Sequence, residues 1–127
     1  MNSHLVPKLL VSDADAAITF YTEALGAQLS LRVAEDGVVH HGELTLGSVV
    51  FALAQSAEEW GWADPGSVGG SPVLLVLTVA DPDATADRMV KHGAEVVIPV
   101  GNRPYGKRQG RVKDPFGHLW VLSGELR

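Results

Sequence analysis

Two side chains that could do chemistry together are His41 and Glu43, which stand two residues apart in the apolar-rich stretch Val38–Leu46. If this stretch is a β-strand, residues i and i+2 share one face, so an imidazole and a carboxylate would meet there. Such a pair could transfer protons to and from a bound molecule or hold a cationic ligand. The alternative is that both are solvated groups on an exposed sheet face. With His4 nearby, the same two side chains could also form an unusual metal site.

A second set of candidates consists of aromatic and cationic side chains. Trp60 and Trp62 lie in a stretch without steady periodicity, and Tyr105 precedes Arg108 in a loop-like segment. The aromatic rings could stack on a flat or cationic ligand, and Arg108 or Arg111 could contact an anionic or carbonyl group of it. Alternatively, the tryptophans form a dimer interface or a small core of their own, and the arginines pair with local carboxylates.

The elements that must position these residues follow from an internal repeat. An apolar run at 5–11 is followed by a helix-period stretch, and the same pattern recurs from an apolar run at 73–79, at an offset of 67 to 68 residues. Each helix has an acidic N-cap and a glycine at its end, namely Asp13 with Gly26 in the first half and Asp81 with Gly93 in the second. We therefore expect two well-bounded helices in equivalent places.

Three strand-like stretches follow each helix, at 27–34, 38–46 and 49–54 in the first half and at 95–100, 110–113 and 119–123 in the second. The sequence thus predicts an α+β fold of two β-α-β-β-β modules that form a cupped mixed sheet with the helices on its outer face. We expect one domain, with module one at 1–55, a linker at 56–71 and module two at 72–127.

Strand alternation also predicts the orientation of three neighbouring residues. His40 should point to the opposite face from His41 and serve as a half-buried structural imidazole. His118 should orient its hairpin through a backbone hydrogen bond, and Trp120 should pack in the core.

Two motifs identify the family that the sequence resembles. They are Asp13-Ala14-x-x-Ala17-Ile18-x-Phe20-Tyr21 in the first helix and Asp114-Pro115-Phe116-Gly117-His118-x-Trp120 before the last strand. With the two-module pattern, they resemble the vicinal oxygen chelate superfamily, which contains glyoxalase I, bleomycin-resistance proteins, fosfomycin-resistance enzymes and extradiol dioxygenases. Three shorter motifs resemble its glyoxalase-like subgroup associated with phosphonate operons: Pro7-Lys8-Leu9, His41-Gly42-Glu43-Leu44 and Tyr105-Gly106-Lys107-Arg108.

The resemblance implies four positions at which metal-dependent members carry His or Glu ligands. In this sequence they are Val6, Leu74, Val121 and either Phe51 or Ala52. None of these side chains has a nitrogen, oxygen or sulfur donor for a divalent metal. We therefore expect neither the usual metal site nor any other cofactor.

Counting along the strands predicts which side chains line the cup. A polar wall and an apolar wall are expected to face each other, with the loop 56–70 as a lid that brings aromatic residues and with an arginine at the rim. The predicted ligand-binding residues are Lys8, His41, Glu43, Thr45, Phe51, Trp60, Trp62, Leu74, Val76, Tyr105, Arg108 and Val121.

Composition limits the class of partner. The chain has 127 residues, 46% of them hydrophobic, contains no cysteine and carries a formal net charge of −5. The negative charge argues against a nucleic-acid partner, and no apolar run approaches the ~20 residues that span a bilayer. Without a recognisable secretory signal, we expect a cytoplasmic protein, and because isolated sheets leave edge strands unprotected, we expect a homodimer.

Two functions fit these observations. The first is a metal-free protein that binds a small organic molecule, such as an antibiotic, and sequesters it, as the bleomycin-resistance members do. The second is a glyoxalase-like lyase, isomerase or transferase, which would use either acid–base chemistry at His41 and Glu43 or a non-standard metal site that includes His4.

Overall fold

A computed structural model describes residues 2–127, and it contains two modules of identical strand and helix order. Module one consists of β1 (Lys8–Val11), α1 (Ala14–Leu25), β2 (Gln28–Glu35), β3 (Val38–Leu46) and β4 (Val49–Gln55). Module two consists of β5 (Leu74–Thr78), α3 (Pro82–Lys91), β6 (Glu95–Asn102), β7 (Arg108–Lys113) and β8 (Leu119–Gly124). A short helix, α2 (Pro65–Val68), lies between the modules.

Both main helices begin where the sequence predicts. The side chain of Asp13 accepts a hydrogen bond from the backbone N–H of Ala16, and Asp81 does the same for Ala84, each at 3.1 Å. These bonds satisfy N–H groups that have no partner within the helix. Helix α1 ends at Gly26, whose φ of 75° is the left-handed conformation that glycine adopts without strain.

Each module folds into one four-stranded mixed sheet, which confirms the predicted fold class. The strand orders are β1-β4-β3-β2 and β5-β8-β7-β6. In each sheet the first strand runs parallel to the last, and the remaining pairs are antiparallel. The registers correspond as well, since Lys8 pairs with Ala52 in the first sheet and Val76 pairs with Val121 in the second.

The two modules share one hydrophobic core, and a hydrogen-bonded carboxylate joins them inside it. The Tyr21 hydroxyl of α1 donates to Asp114 Oδ2 in the turn before β8 at 2.5 Å, and the Trp120 indole donates to the same oxygen at 2.9 Å. Burial, reinforced by the Asp114 carboxylate, raises the pKa of the Tyr21 phenol well above its ordinary value. His118 Nε2 donates to the Leu10 carbonyl at 2.8 Å, which confirms its predicted structural role and adds a second bond between the modules.

The linker is more ordered than its sequence suggests. It contains a 3-10 turn at Glu58–Trp60, a bridge between Ala57 and Trp62, and helix α2. The backbone of Gly117 lies so close to α2 that a Cβ there would stand 2.8 Å from Pro65 Cβ. Tertiary packing therefore stabilises a helix that is too short to form alone.

Each sheet packs one face against its helix and leaves the other face open. Apolar residues on the open faces remain well exposed, namely Leu31, Val33 and Val50 in module one and Leu74, Val76 and Ile98 in module two. Within residues 2–127, no helix has the length and apolar character that crossing a membrane requires.

Candidate functional site

The pair that the sequence singles out lies on the open face of module one. His41 Nε2 and Glu43 Oε1 are 2.9 Å apart, and their side chains are 32% and 39% exposed. Thr45 follows on the same face, whereas Leu44 between them is fully buried against the core. The β-strand period therefore delivers an imidazole and a carboxylate in contact at a surface that a ligand can reach.

A β-bulge changes the expected orientation of His40. Opposite β3, Val33 pairs with His41 and Ala34 pairs with Val39, so His40 is the extra residue. Val39, before the two histidines, is buried. Gly42, after them, lies so close to α1 that a Cβ there would be 3.8 Å from Ile18. Val39 and Gly42 therefore both face the helix. The histidines between them therefore both turn away from the core, and the prediction that His40 points opposite to His41 is wrong.

The two linker tryptophans pack against this same face. The rings of Trp60 and His40 have centroids 5.0 Å apart, and the rings of Trp60 and Trp62 are also 5.0 Å apart. The ammonium of Lys8 lies 4.9 Å from the Trp62 ring, a cation–π geometry. Trp60 nevertheless remains 51% exposed. We call this surface the tryptophan face, which comprises Lys8, His40, His41, Glu43, Thr45, Trp60 and Trp62.

The open face of module two carries a different set of side chains around a cavity of about 280 Å³. The Tyr105 hydroxyl donates to Gln109 Oε1 at 2.7 Å, and Gln109 Nε2 donates to Ser123 Oγ at 2.9 Å, while the Tyr105 ring stays 66% exposed. We call this surface the arginine face, which comprises Leu74, Val76, Ile98, Tyr105, Gln109, Arg111 and Val121.

Arg108 is one of two predicted ligand contacts that the structure does not bring to an open face; the other is Phe51. In β7, Gly110 and Val112 are buried against the core, and Arg108 shares their side of the strand. Its guanidinium donates two hydrogen bonds to Asp83 of α3, at 2.7 and 2.8 Å. These hydrogen bonds, with the charge of Arg108, lower the pKa of the Asp83 carboxyl. Arg108 thus joins the helix to the sheet.

Phe51 lies on the core side of β4 rather than on the open face. It is 3% exposed, and its ring centroid lies 5.4 Å from Tyr21 and 5.9 Å from Trp120. Ala52 is the residue of β4 that pairs with Lys8 and with Glu43 on the open face. The structure therefore assigns Ala52, and not Phe51, to the family's ligand position.

The donor set does not fit the metal that the family resemblance implies. The four relevant positions carry Val6, Ala52, Leu74 and Val121, none of which can donate a lone pair to a metal ion. Across residues 2–127, no three His, Asp or Glu side chains converge where they could hold a metal, so His4 does not join His41 and Glu43 in such a group.

The structure separates the two predicted walls. The modules contact each other through α1 and α3 and through core residues such as Phe51 and Trp120, and no strand of one sheet pairs with a strand of the other. The tryptophan face and the arginine face belong to different sheets, and each lies opposite to the helix side of its own sheet. Within one chain the two faces therefore do not close on each other, and the two walls of the predicted cup lie on separate sheets.

Comparison with known proteins agrees with this architecture. A model of the Glyoxalase/Bleomycin resistance protein/Dioxygenase superfamily matches residues 3–122. An uncharacterized protein from Mycobacterium bovis is 37% identical over 127 residues, which span 97% of this chain and 84% of the relative.

Solved structures of other proteins have the same fold as this chain. TioX from Micromonospora sp. ML1 superimposes with a TM-score of 0.74 at 28% identity, over 98% of both chains. The fosfomycin resistance protein FosX from Mesorhizobium loti shares the fold, with a TM-score of 0.69 at 17% identity over 98% of this chain and 92% of FosX. The chain therefore belongs to the Glyoxalase/Bleomycin resistance protein/Dioxygenase superfamily.

Proposed function

We propose that the protein binds a small organic molecule without a metal, and that the tryptophan face supplies the main contacts. The observation that carries the proposal is the exposed Trp60 ring, which lies on the same open face as the His41–Glu43 pair. A large aromatic surface beside a few polar groups is typical of small-molecule sites.

Each part of this face has a distinct role in the proposal. Trp60 stacks on a flat part of the ligand, and Glu43 accepts a charge-assisted hydrogen bond from a cationic or N–H donor group of it. Each of these contacts is worth on the order of 1–2 kcal/mol once water is excluded. Lys8 stiffens the wall by holding the Trp62 ring.

A second copy of the chain completes the site in this proposal. The arginine face of one chain would cover the tryptophan face of the other, because neither face is covered within its own chain. Exposed apolar side chains on the open faces of both sheets support this arrangement, with Val76 at 64% and Leu31 at 44% exposure. Burying such surfaces against each other is a common basis for dimers.

The proposed biological role is sequestration of the resistance type, in which the ligand is bound and not altered. The finer resemblance to the subgroup associated with phosphonate operons, carried by Tyr105-Gly106-Lys107-Arg108, remains a prediction.

The experiment is a thermal-shift screen of aromatic compounds of each charge class, followed by calorimetric titration of the compounds that stabilise the protein. Glu43→Gln and Trp60→Ala should each weaken binding about ten-fold. Glu125→Gln, which removes one charge from an exposed position near the C-terminus, is the matched control and should leave the affinity unchanged. Unchanged affinity in both site variants, with each still folded, would place the site elsewhere.

The 2.9 Å contact between His41 and Glu43 also favours a second candidate, an acid–base enzyme. In that case His41→Ala would lower turnover by about 10² to 10⁴-fold and change ligand affinity much less. If the wild-type protein shows no turnover and His41→Ala instead weakens ligand binding, the protein is a binding protein and not an enzyme.

A further inference from the structure

Arg111 differs from every other arginine within residues 2–127, because its side chain has no hydrogen-bonding partner. Its Nε atom is buried and makes no hydrogen bond. Every other arginine in this part of the chain has a hydrogen-bond acceptor or an ion-pair partner for its guanidinium. The partners are Asp15 for Arg32, the Ala24 carbonyl for Arg88, the Gln109 carbonyl for Arg103, and Asp83 for both Arg108 and Arg127. A buried, unpaired N–H of a charged group is costly and calls for an acceptor.

The surroundings of Arg111 explain why the protein itself supplies no acceptor. Across the sheet its neighbours are Ile98 of β6 and Val121 of β8, both apolar. The nearby Gln109 already uses its amide to bond Tyr105 and Ser123. No Asp or Glu lines the cavity in which the guanidinium lies.

We propose that the arginine face binds the anionic group of a small organic acid, and that the Arg111 guanidinium forms the ion pair with this group. This inference rests on the proposed small-molecule function and adds the chemical class of the ligand. A carboxylate can accept two parallel hydrogen bonds from a guanidinium, here from the terminal N–H groups of Arg111 that line the cavity. An apolar or aromatic body attached to that carboxylate fits against Leu74, Val76 and Val121, with the exposed Tyr105 ring as a side wall.

The net charge of the protein does not oppose this contact. At about 0.1 M salt, charges more than about 10 Å away are largely screened, so the local guanidinium decides the interaction. The cavity of about 280 Å³ has room for a molecule of the size of an arylacetic acid. The ligand we infer therefore carries an acidic group for Arg111, and its remaining surface faces the tryptophans and Glu43 of the opposite wall.

The test compares phenylacetate with the neutral phenylacetamide as probes of the full chain, with amide shifts of β7 and β8 followed by NMR. Phenylacetate should bind the wild type, and Arg111→Met should weaken it at least about ten-fold. Arg111→Lys, which keeps the charge and loses the paired geometry, should give an intermediate loss. Lys113→Met removes one positive charge from the same face of the same strand and should change the affinity less than about two-fold.

The outcomes separate this inference from the proposed function. Equal binding of phenylacetamide and phenylacetate, or equal affinity of wild type and folded Arg111→Met, overturns the anion site and leaves small-molecule binding intact. A loss of the dimer in Arg111→Met, without phenylacetate binding to the wild type, also overturns it, because Arg111 would then pair with a second copy. If neither this probe pair nor the aromatic screen finds a compound that binds, both proposals fall.

Discussion

Glu43 and Arg111 occupy equivalent positions in the two repeated sheets. Glu43 of β3 pairs with Ala52 of β4, and Arg111 of β7 pairs with Val121 of β8, with both side chains on open faces. The two modules thus carry side chains of opposite charge at this equivalent position. If the two faces come together between two copies of the chain, the ligand space has a carboxylate on one wall and a guanidinium on the other.

The proposed dimer makes a direct prediction about mass. Light scattering should give about 27 kDa, twice the 13.5 kDa of the chain, at micromolar concentration. Val76→Asp places a charge on the arginine face and should shift the protein to monomer. Val90→Asp makes the same change at an exposed position of α3 and should leave the dimer intact. A wild-type mass of one chain at all concentrations would contradict the prediction.

Removing the hydroxyl of Tyr21 should destabilise the protein, because it removes one of the bonds that join the modules. Tyr21→Phe leaves Asp114 buried with one donor fewer, which costs about 1–3 kcal/mol. Urea unfolding measures this loss. Tyr105→Phe is the control, since that hydroxyl is exposed, and it should change the free energy of unfolding by less than about 0.5 kcal/mol. Equal effects of the two changes would contradict a structural role for the buried bond.

Gly110 allows β6 and β7 to approach closely, so a methyl group there should be destabilising. A Cβ at this position would lie 2.8 Å from the Val100 backbone Cα. We expect Gly110→Ala to lower the free energy of unfolding by about 1–3 kcal/mol. At Gly101 of β6 the nearest atoms to a new Cβ are those of the Arg103 guanidinium at 3.7 Å or more, so Gly101→Ala should be tolerated.

The ion pair between Arg108 and Asp83 should make stability depend on pH in the acid range. Hydrogen bonding to Arg108 lowers the pKa of Asp83 below its ordinary value of 3.8. The stabilisation is therefore fully present above that value and is lost as the pH falls through the lowered pKa. Arg108→Met should have a lower Tm than wild type at neutral pH, and the difference should shrink below about pH 4.

Lys107→Met is the control for the change in net charge. It removes one positive charge next to Arg108, at an exposed position. It should not reproduce the pH-dependent difference. A constant gap between Arg108→Met and wild type from neutral to acid pH would show that packing, and not the charge pair, sets the effect.

Purified, dialysed protein should contain no stoichiometric divalent metal, because the four family positions lack donor atoms. Elemental analysis after loading with Ni²⁺, Mn²⁺ or Zn²⁺ checks this expectation. One bound ion per chain that survives dialysis would contradict it, and Glu43→Gln would then test whether that carboxylate is a ligand.

The fold could be predicted because its signals are local. The Asp13 and Asp81 caps and the period-2 stretches at equivalent spacing specify the same module twice. The ordered linker could not be predicted in the same way, because α2 depends on its contact with Gly117, far away in sequence.

The site could be predicted only where strand alternation is regular. The open-face positions of Glu43 and Val76 follow from simple counting along β3 and β5. The predicted face of His40 is wrong because a bulge arises from strand pairing, which the sequence of one strand does not reveal. The sequence predicts a strand that begins only at Gly110 and therefore leaves Arg108 in a loop. In the structure β7 extends back to Arg108 and turns its side chain toward α3.

The turn between β7 and β8 makes the two halves of this duplicated chain non-interchangeable. Its Asp114 accepts a hydrogen bond from Tyr21 of the other module, and its His118 donates to the carbonyl of Leu10 there. The equivalent turn of module one, Gly47-Ser48, has neither a carboxylate nor an imidazole. Two copies of module one fused in tandem would therefore lack the polar bonds that join the halves. Each half therefore depends on the other for these bonds, so a substitution at Tyr21 or Asp114 affects both halves.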